Sequence, residues 1–171
     1  MAAKTGGELS GLAVMTLAGG SRLGRVHDVV FHMPSGRIAG FLVETGGLLS
    51  KPMFLPAAQV RSLGTDALTV ADADALGGNR QAQADPDLLE ARALSGRPVM
   101  SETGTAVGTV KDILVDTETL AVSFLILATG FLDNALHGRP TLPLSLVRTV
   151  GKDSLVVPGS YDPKAAENNA T

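Results

Sequence analysis

The chain has no cysteine and no tryptophan, and only one tyrosine and five phenylalanines in 171 residues. Without cysteine there is no disulfide framework, no thiolate nucleophile and no thiolate metal ligand, which is compatible with a reducing compartment. With aromatics at 4%, the interior has to be built from Val, Leu, Ile and Ala. No apolar run approaches the ~20 residues of a membrane-spanning helix. A basic excess is missing too: the formal net charge is −3, made of +2 over residues 1–70, −3 over 71–94, −1 over 95–158 and −1 beyond. Neither half carries the positive field that a phosphate backbone calls for, so nucleic acid is a poor match as partner. What is plentiful is aliphatic: 44% hydrophobic residues and a mean hydropathy of +0.23 mark a folded protein.

The pattern that organises this material is a repeat. Gly24-Arg25-Val26-His27-Asp28-Val29-Val30 returns as Gly108-Thr109-Val110-Lys111-Asp112-Ile113-Leu114. Upstream, Ser10–Met15 matches Ser95–Met100. Downstream, Gly40-Phe41-Leu42-Val43 is set against Ser123-Phe124-Leu125-Ile126, Leu55-Pro56 against Leu142-Pro143, and Leu68–Val70 against Leu155–Val157. A period of roughly 85 residues is far above the roughly 20–50 of solenoids, so each unit should be a small domain with its own core. Met1-Ala2-Ala3-Lys4 and the apolar Leu12–Leu17 imitate a signal peptide, but the matching stretch at Arg97–Met100 lies mid-chain, so Leu12–Met15 reads as a strand.

Within a unit, short apolar runs separated by Gly, Pro and Ser read as five or six strands. The apolar pattern changes face after Asp28 and again after Asp112, which predicts a β-bulge or strong bend at each aspartate. Met33-Pro34-Ser35-Gly36 suits a hairpin turn, and Pro56 should open a single helical turn. The expected architecture is all-β: two small barrels in tandem, joined by a linker with a short helix. Boundaries fall at 1–71 and 94–158 for the barrels, 72–93 for the acidic linker and 159–171 for a tail, with residues 1–9 also read as a tail. Asp85-Pro86-Asp87 has an N-cap, a first-position proline and a first-turn acid, predicting a helix over Leu88–Leu94.

The succession Gly-x-Val-x-Asp strand, apolar strand, glycine-containing loop and Leu-Pro before a helical turn, present twice, resembles the PRC-barrel family. That family includes the cytoplasmic domain of the photosynthetic reaction-centre H subunit and the C-terminal domain of a ribosome maturation factor. The resemblance covers Leu9–Ala71 and Leu94–Pro158 and implies a docking barrel, usually without catalysis. It also implies differences. The membrane helix of the H subunit and the N-terminal domain of the ribosome factor have no counterpart here.

Candidate chemistry is sparse. Asp28 and Asp112 are read as caps of backbone N–H groups at a structural bend, in preference to catalytic carboxylates. Asp112, Asp116 and Glu118 lack calcium-loop spacing, and the first unit offers Asp28, His32 and Ser35 in their place. His27 and His32 should face opposite sides of one strand unless a bulge between them brings them together, where no third ligand is evident, and His137 sits in a loop beside Asn134 and Arg139. Gly46–Lys51 fails the phosphate-loop spacing. Leu48, Leu49, Met53 and Phe54 in one loop, and Phe131, Leu132, Ala135 and Leu136 in its equivalent, are apolar where loops are normally polar. They are either partner contacts or plugs for the barrel ends or for the barrel-to-barrel interface.

The expected function is therefore a non-catalytic interaction or scaffold subunit. No catalytic residue, cofactor or metal is expected. Its most specific form is a cytoplasmic accessory subunit, peripheral at the inner membrane, that stabilises a complex of the reaction-centre and light-harvesting kind. Alternatives are a ribosome or RNA assembly factor using Arg22, Arg25, Arg37 and Arg61, and a stand-alone soluble adaptor; a hydrolase or metal enzyme ranks lowest.

Overall fold

The structure, a computed structural model, describes residues 2–48, 50–77, 85–129 and 139–163. The chain opens with β1 (Ala3–Thr5) and a single-turn helix α1 (Gly6–Leu9). The first unit follows as β2 (Ala13–Thr16), β3 (Arg22–His32), β4 (Ile38–Glu44), β5 (Met53–Pro56), β6 (Val60–Leu63) and β7 (Ala67–Val70). After the linker, β8 (Leu88–Glu90) and helix α2 (Ala91–Leu94) lead into β9 (Pro98–Ser101), β10 (Ala106–Asp116), β11 (Ala121–Ala128), β12 (Thr141–Pro143), β13 (Thr149–Val150) and β14 (Leu155–Val157). The two units have one topology. Strand order is β5-β4-β3-β2-β7-β6 in the first sheet and β12-β11-β10-β9-β14-β13 in the second, with a parallel β2–β7 pair answering the parallel β9–β14 pair.

The repeated motif now has a physical reading, residue by residue. A Cβ on Gly24 would stand 2.1 Å from the Glu44 carbonyl oxygen, and one on Gly108 2.8 Å from that of Ala128, so the long strand closes on its neighbour only where the side chain is hydrogen. The valine points inward: Val26 and Val110 are buried. At the aspartate the register slips, between Val26 and Asp28 in one unit and between Val110 and Asp112 in the other. The carboxylate occupies the irregularity by accepting the next N–H, Val29 N at 2.8 Å from Asp28 Oδ1 and Ile113 N at 2.8 Å from Asp112 Oδ1.

The structure corrects one pairing inferred from the repeat. Gly40-Phe41-Leu42-Val43 corresponds to Phe124-Leu125-Ile126-Leu127, one residue further than the sequence match, because Asp28 pairs with Leu42 and Asp112 with Ile126. Matching phenylalanine to phenylalanine produced the slip, and a slip of one residue exchanges the faces of a strand. Phe41 is fully buried in the barrel, whereas Phe124 is only half-buried and shares a side with Ile126.

The segments leading into each barrel are exchanged. β1 pairs with β10 of the second sheet through Ala3–Asp116, Lys4–Val115 and Thr5–Leu114. β8 pairs with β3 of the first through Val30–Glu90, Phe31–Leu89 and His32–Leu88. Residues 2–9 are thus no free tail, and Leu88–Leu94 is strand then helix instead of helix throughout. Asp85 Oδ1 caps Asp87 N in a turn, and the β3 edge draws the next three residues into extended backbone. Leu9 at the end of α1 and Leu94 at the end of α2 are both wholly buried, each worth about 1.5–3 kcal/mol. The helices that carry them lie against both β3 and β10. For this reason the expectation of two separate cores does not hold: the buried residues of both sheets form one continuous apolar cluster. Val30, Leu42 and Phe54 make a small second cluster.

An axis of pseudo-symmetry passes through the junction. Arg37 and Ala121, equivalent positions of the two units, face each other in an antiparallel bridge. Ile38 N donates to Leu120 O at 3.0 Å and, reciprocally, Val122 N donates to Gly36 O at 2.7 Å. Gly36 has φ +73° and a Cβ there would lie 2.3 Å from Val122 O; its equivalent Leu120 takes φ 51°, the only positive value at a non-glycine among the described residues.

Candidate functional site

The motif carboxylates lie at the junction, in a cleft of about 340 Å³ shared by His27, Lys111 and the amino ends of the two small helices. Each one serves the other unit. Asp112 Oδ2 accepts Gly7 N at 3.0 Å, and Asp28 accepts Arg92 N at 3.3 Å to Oδ1 and 3.4 Å to Oδ2. The difference in length follows from the preceding residue: a Cβ on Gly6 would stand 2.6 Å from Asp112 Oδ1, while Ala91, its equivalent, carries one. A single-turn helix ordinarily needs its own cap. Helix α1 has a local one, with Thr5 and Glu8 bonding reciprocally, but Glu90 before α2 makes no side-chain cap, so Asp28 supplies the acceptor.

Burial raises the Asp28 carboxyl above its ordinary value of 3.8, with the Val29 and Arg92 N–H groups pulling the other way. Asp116 is lowered by the N–H groups of Thr119 and Glu118, which it accepts at the hairpin tip. These arrangements hold backbone in place; both oxygens of Asp28 and both of Asp112 accept peptide N–H groups.

The histidines find separate partners. His27 Nδ1 is 2.8 Å from Glu44 Oε1, and His32 Nδ1 is 2.7 Å from Ser35 Oγ with Nε2 3.9 Å from Asp87 Oδ2. No three His, Asp or Glu side chains gather among the described residues. Arg22 and Arg25 line one shallow cleft with Glu44, and Arg37 lies outside it at the junction bridge.

The apolar loop of the first unit divides in two. Leu48 stands entirely in solvent just after Gly46-Gly47, and Met53 at the start of β5 is 39% exposed. Phe54 is buried instead: a Cβ on Gly40 would lie 2.5 Å from its ring, so the ring lies over that glycine and packs with Val30 and Leu42. Phe54 is thus part of the fold's own packing. Leu49, Phe131, Leu132, Ala135, Leu136 and His137 lie outside the described residues.

Sequence reasoning missed the residues that join the units, Leu9, Leu94 and the N–H groups of Gly7 and Arg92. The available signal was that Ser10 and Ser95 begin equivalent stretches, so whatever precedes one has a twin before the other. The PRC-barrel domain model matches the chain twice, over residues 1–76 and 86–162. Both matches begin ahead of the exchanged strand. No curated protein matches the sequence.

Proposed function

From the premise that this chain belongs to the PRC-barrel family, as a tandem of two barrels whose kind serves generally as a non-catalytic interaction module, we propose that it is a docking subunit whose contact point in the first unit is the tip bearing Leu48 and Met53. The observation that carries the reading is the position of Leu48. A leucine wholly in water adds nothing to the barrel, whereas its burial under a partner would recover about 1.5–3 kcal/mol. Its neighbour Phe54, drawn into the sheet's own packing, shows that the loop had an apolar surface available to fold onto. Leu48 does not use it.

In its most specific form, the reading has the chain stabilise a membrane complex of the reaction-centre and light-harvesting kind from the cytoplasmic face. Resemblance to the cytoplasmic domain of the H subunit supports that form. The test is affinity purification of the full chain from its native source, in parallel with Leu48→Asp and Met53→Asp variants. Recovery of membrane-complex polypeptides with pigment, lost on Leu48→Asp, is the expected result. A monodisperse monomer without partners, partners indifferent to both substitutions, or nucleic acid in place of protein would refute it.

A further inference from the structure

The two units are built alike, so each surface feature of one has a built-in comparison in the other. The clearest departure is a groove of about 500 Å³ between the hairpin tip of the first unit, β8 and the turn before β13. Buried Met33 and Leu144 form its floor, and Leu89, Val147 and Val150 present half-buried apolar side chains. Three cations, Arg97, Arg148 and Lys152, face one acid, Asp87. The groove is therefore positive in a chain whose net charge is −3.

The charges are poorly neutralised. Among the described residues, Arg97 donates only to carbonyl oxygens, Nη1 to Gly151 O and Nη2 to Ala93 O, both at 3.2 Å. Two of its five N–H donors are used and its whole charge is kept. Half-buried beside apolar walls, it projects a stronger field than an arginine in open water. Lys152 is exposed, and Arg148 has Glu102 at 3.9 Å.

At the matching place in the other unit, the residues at the positions of Arg97 and Lys152 are Leu12 and Thr65. Lys4, the counterpart of Leu89, reaches across to donate to Thr65 O at 3.3 Å. On one side of the pseudo-symmetry axis a side chain spans the gap. On the other, the apolar Leu89 lines it, and Arg97 and Lys152 rim it where the first unit has Leu12 and Thr65.

Building on the docking reading above, we propose that this groove receives an acidic segment of a partner protein. One carboxylate pairs with Arg97 and Lys152, and an adjacent apolar side chain rests on Leu89, Val147 and Val150. Groove size is within the range of side-chain and small-ligand sites, and the opposed charge fixes the direction in which the segment lies.

The probe is a library of random ten-residue peptides displayed on phage, panned against the full chain at low salt. Enriched peptides should carry Asp or Glu beside a large apolar residue. The best of them, labelled and titrated by fluorescence anisotropy, should bind at least about tenfold more weakly to Lys152→Glu and to Arg97→Leu, the residue of the twin position. Lys152 is exposed, so its variant should retain the wild-type circular dichroism spectrum and melting temperature, whatever Arg97→Leu does to the fold. Absence of enrichment, enriched peptides without acids, equal binding to Lys152→Glu, or displacement of the peptide by a single-stranded oligonucleotide of equal affinity would each overturn the proposal. Leu48→Asp should leave peptide affinity unchanged. The groove can thus fail while the Leu48 contact stands, and the reverse.

Discussion

Replacing Asp28 with alanine should disturb the protein most at residues far from it in sequence. The substitution removes the acceptor of Val29 N, which is buried, and of Arg92 N, which is partly buried and lies in the first turn of helix α2. An N–H left without a partner costs about 1–3 kcal/mol when buried, and loss of a helix cap about 0.5–2 kcal/mol. Relief of the carboxylate's own desolvation offsets part of this, leaving about 2–3 kcal/mol and a fall in melting temperature of about 4–10 °C for a body of this size. Asp112→Ala should cost less, about 1 kcal/mol, because Gly7 N lies where water can replace the lost oxygen. The assay is amide hydrogen exchange resolved along the chain. Asp28→Ala should speed exchange at Leu88–Leu94, and Asp112→Ala at Ala3–Leu9, each in the segment belonging by sequence to the other unit. Exchange confined to Arg22–Glu44 in the first variant, with Leu88–Leu94 unchanged, would refute the exchanged arrangement.

Other outcomes follow from the same geometry. Because burial raises the Asp28 carboxyl in the fold, its protonated form is favoured there; that contribution is complete below about pH 3.8 and is lost as pH rises through the raised value. The stability of Asp28→Asn relative to wild type, from urea unfolding, should therefore increase with pH across that acid window and then level off; a relative stability that falls with pH would contradict the sign. Leu94→Ala should cost about 2–5 kcal/mol and leave a single urea transition, since both sheets share one core; two separated transitions by circular dichroism would count against it. Gly36→Ala forces a side chain into a left-handed residue against Val122 O and should cost at least about 2 kcal/mol, with exchange faster at both Gly36–Ile38 and Leu120–Val122. Gly6→Ala should push the Asp112 carboxylate back towards the longer spacing seen at Asp28, with loss of about 1 kcal/mol of stability by the same urea measurement.

The strands that carry most of the barrel were legible because valine, leucine and isoleucine alternate or cluster in them and because the pattern occurs twice. The bend at each aspartate was legible for the same reason: the apolar face changes there in both copies. The exchange was not. Ala3-Lys4-Thr5 and Leu88-Leu89-Glu90 are too short for a period, and their partners lie more than a hundred residues away in one case. The matching of β4 with β11 failed where identity of residue type competed with parity of face. A barrel tolerates Phe41 inside and Phe124 outside, and only the ladder decides which is which. The groove beside Arg97 escaped because its meaning comes from comparing that arginine with Leu12, a comparison that needs both residues placed in space.

Because each half finishes the other's sheet, the assembly is what a symmetric dimer would form, except that both members lie on one chain. Dilution cannot separate them, since the tether keeps the second half at a high local concentration however little protein is present. A dimer of identical chains must also change both its faces together. Here a residue such as Lys152 can differ from Thr65 without altering its twin, so one flank is free to specialise while the other keeps the pair closed.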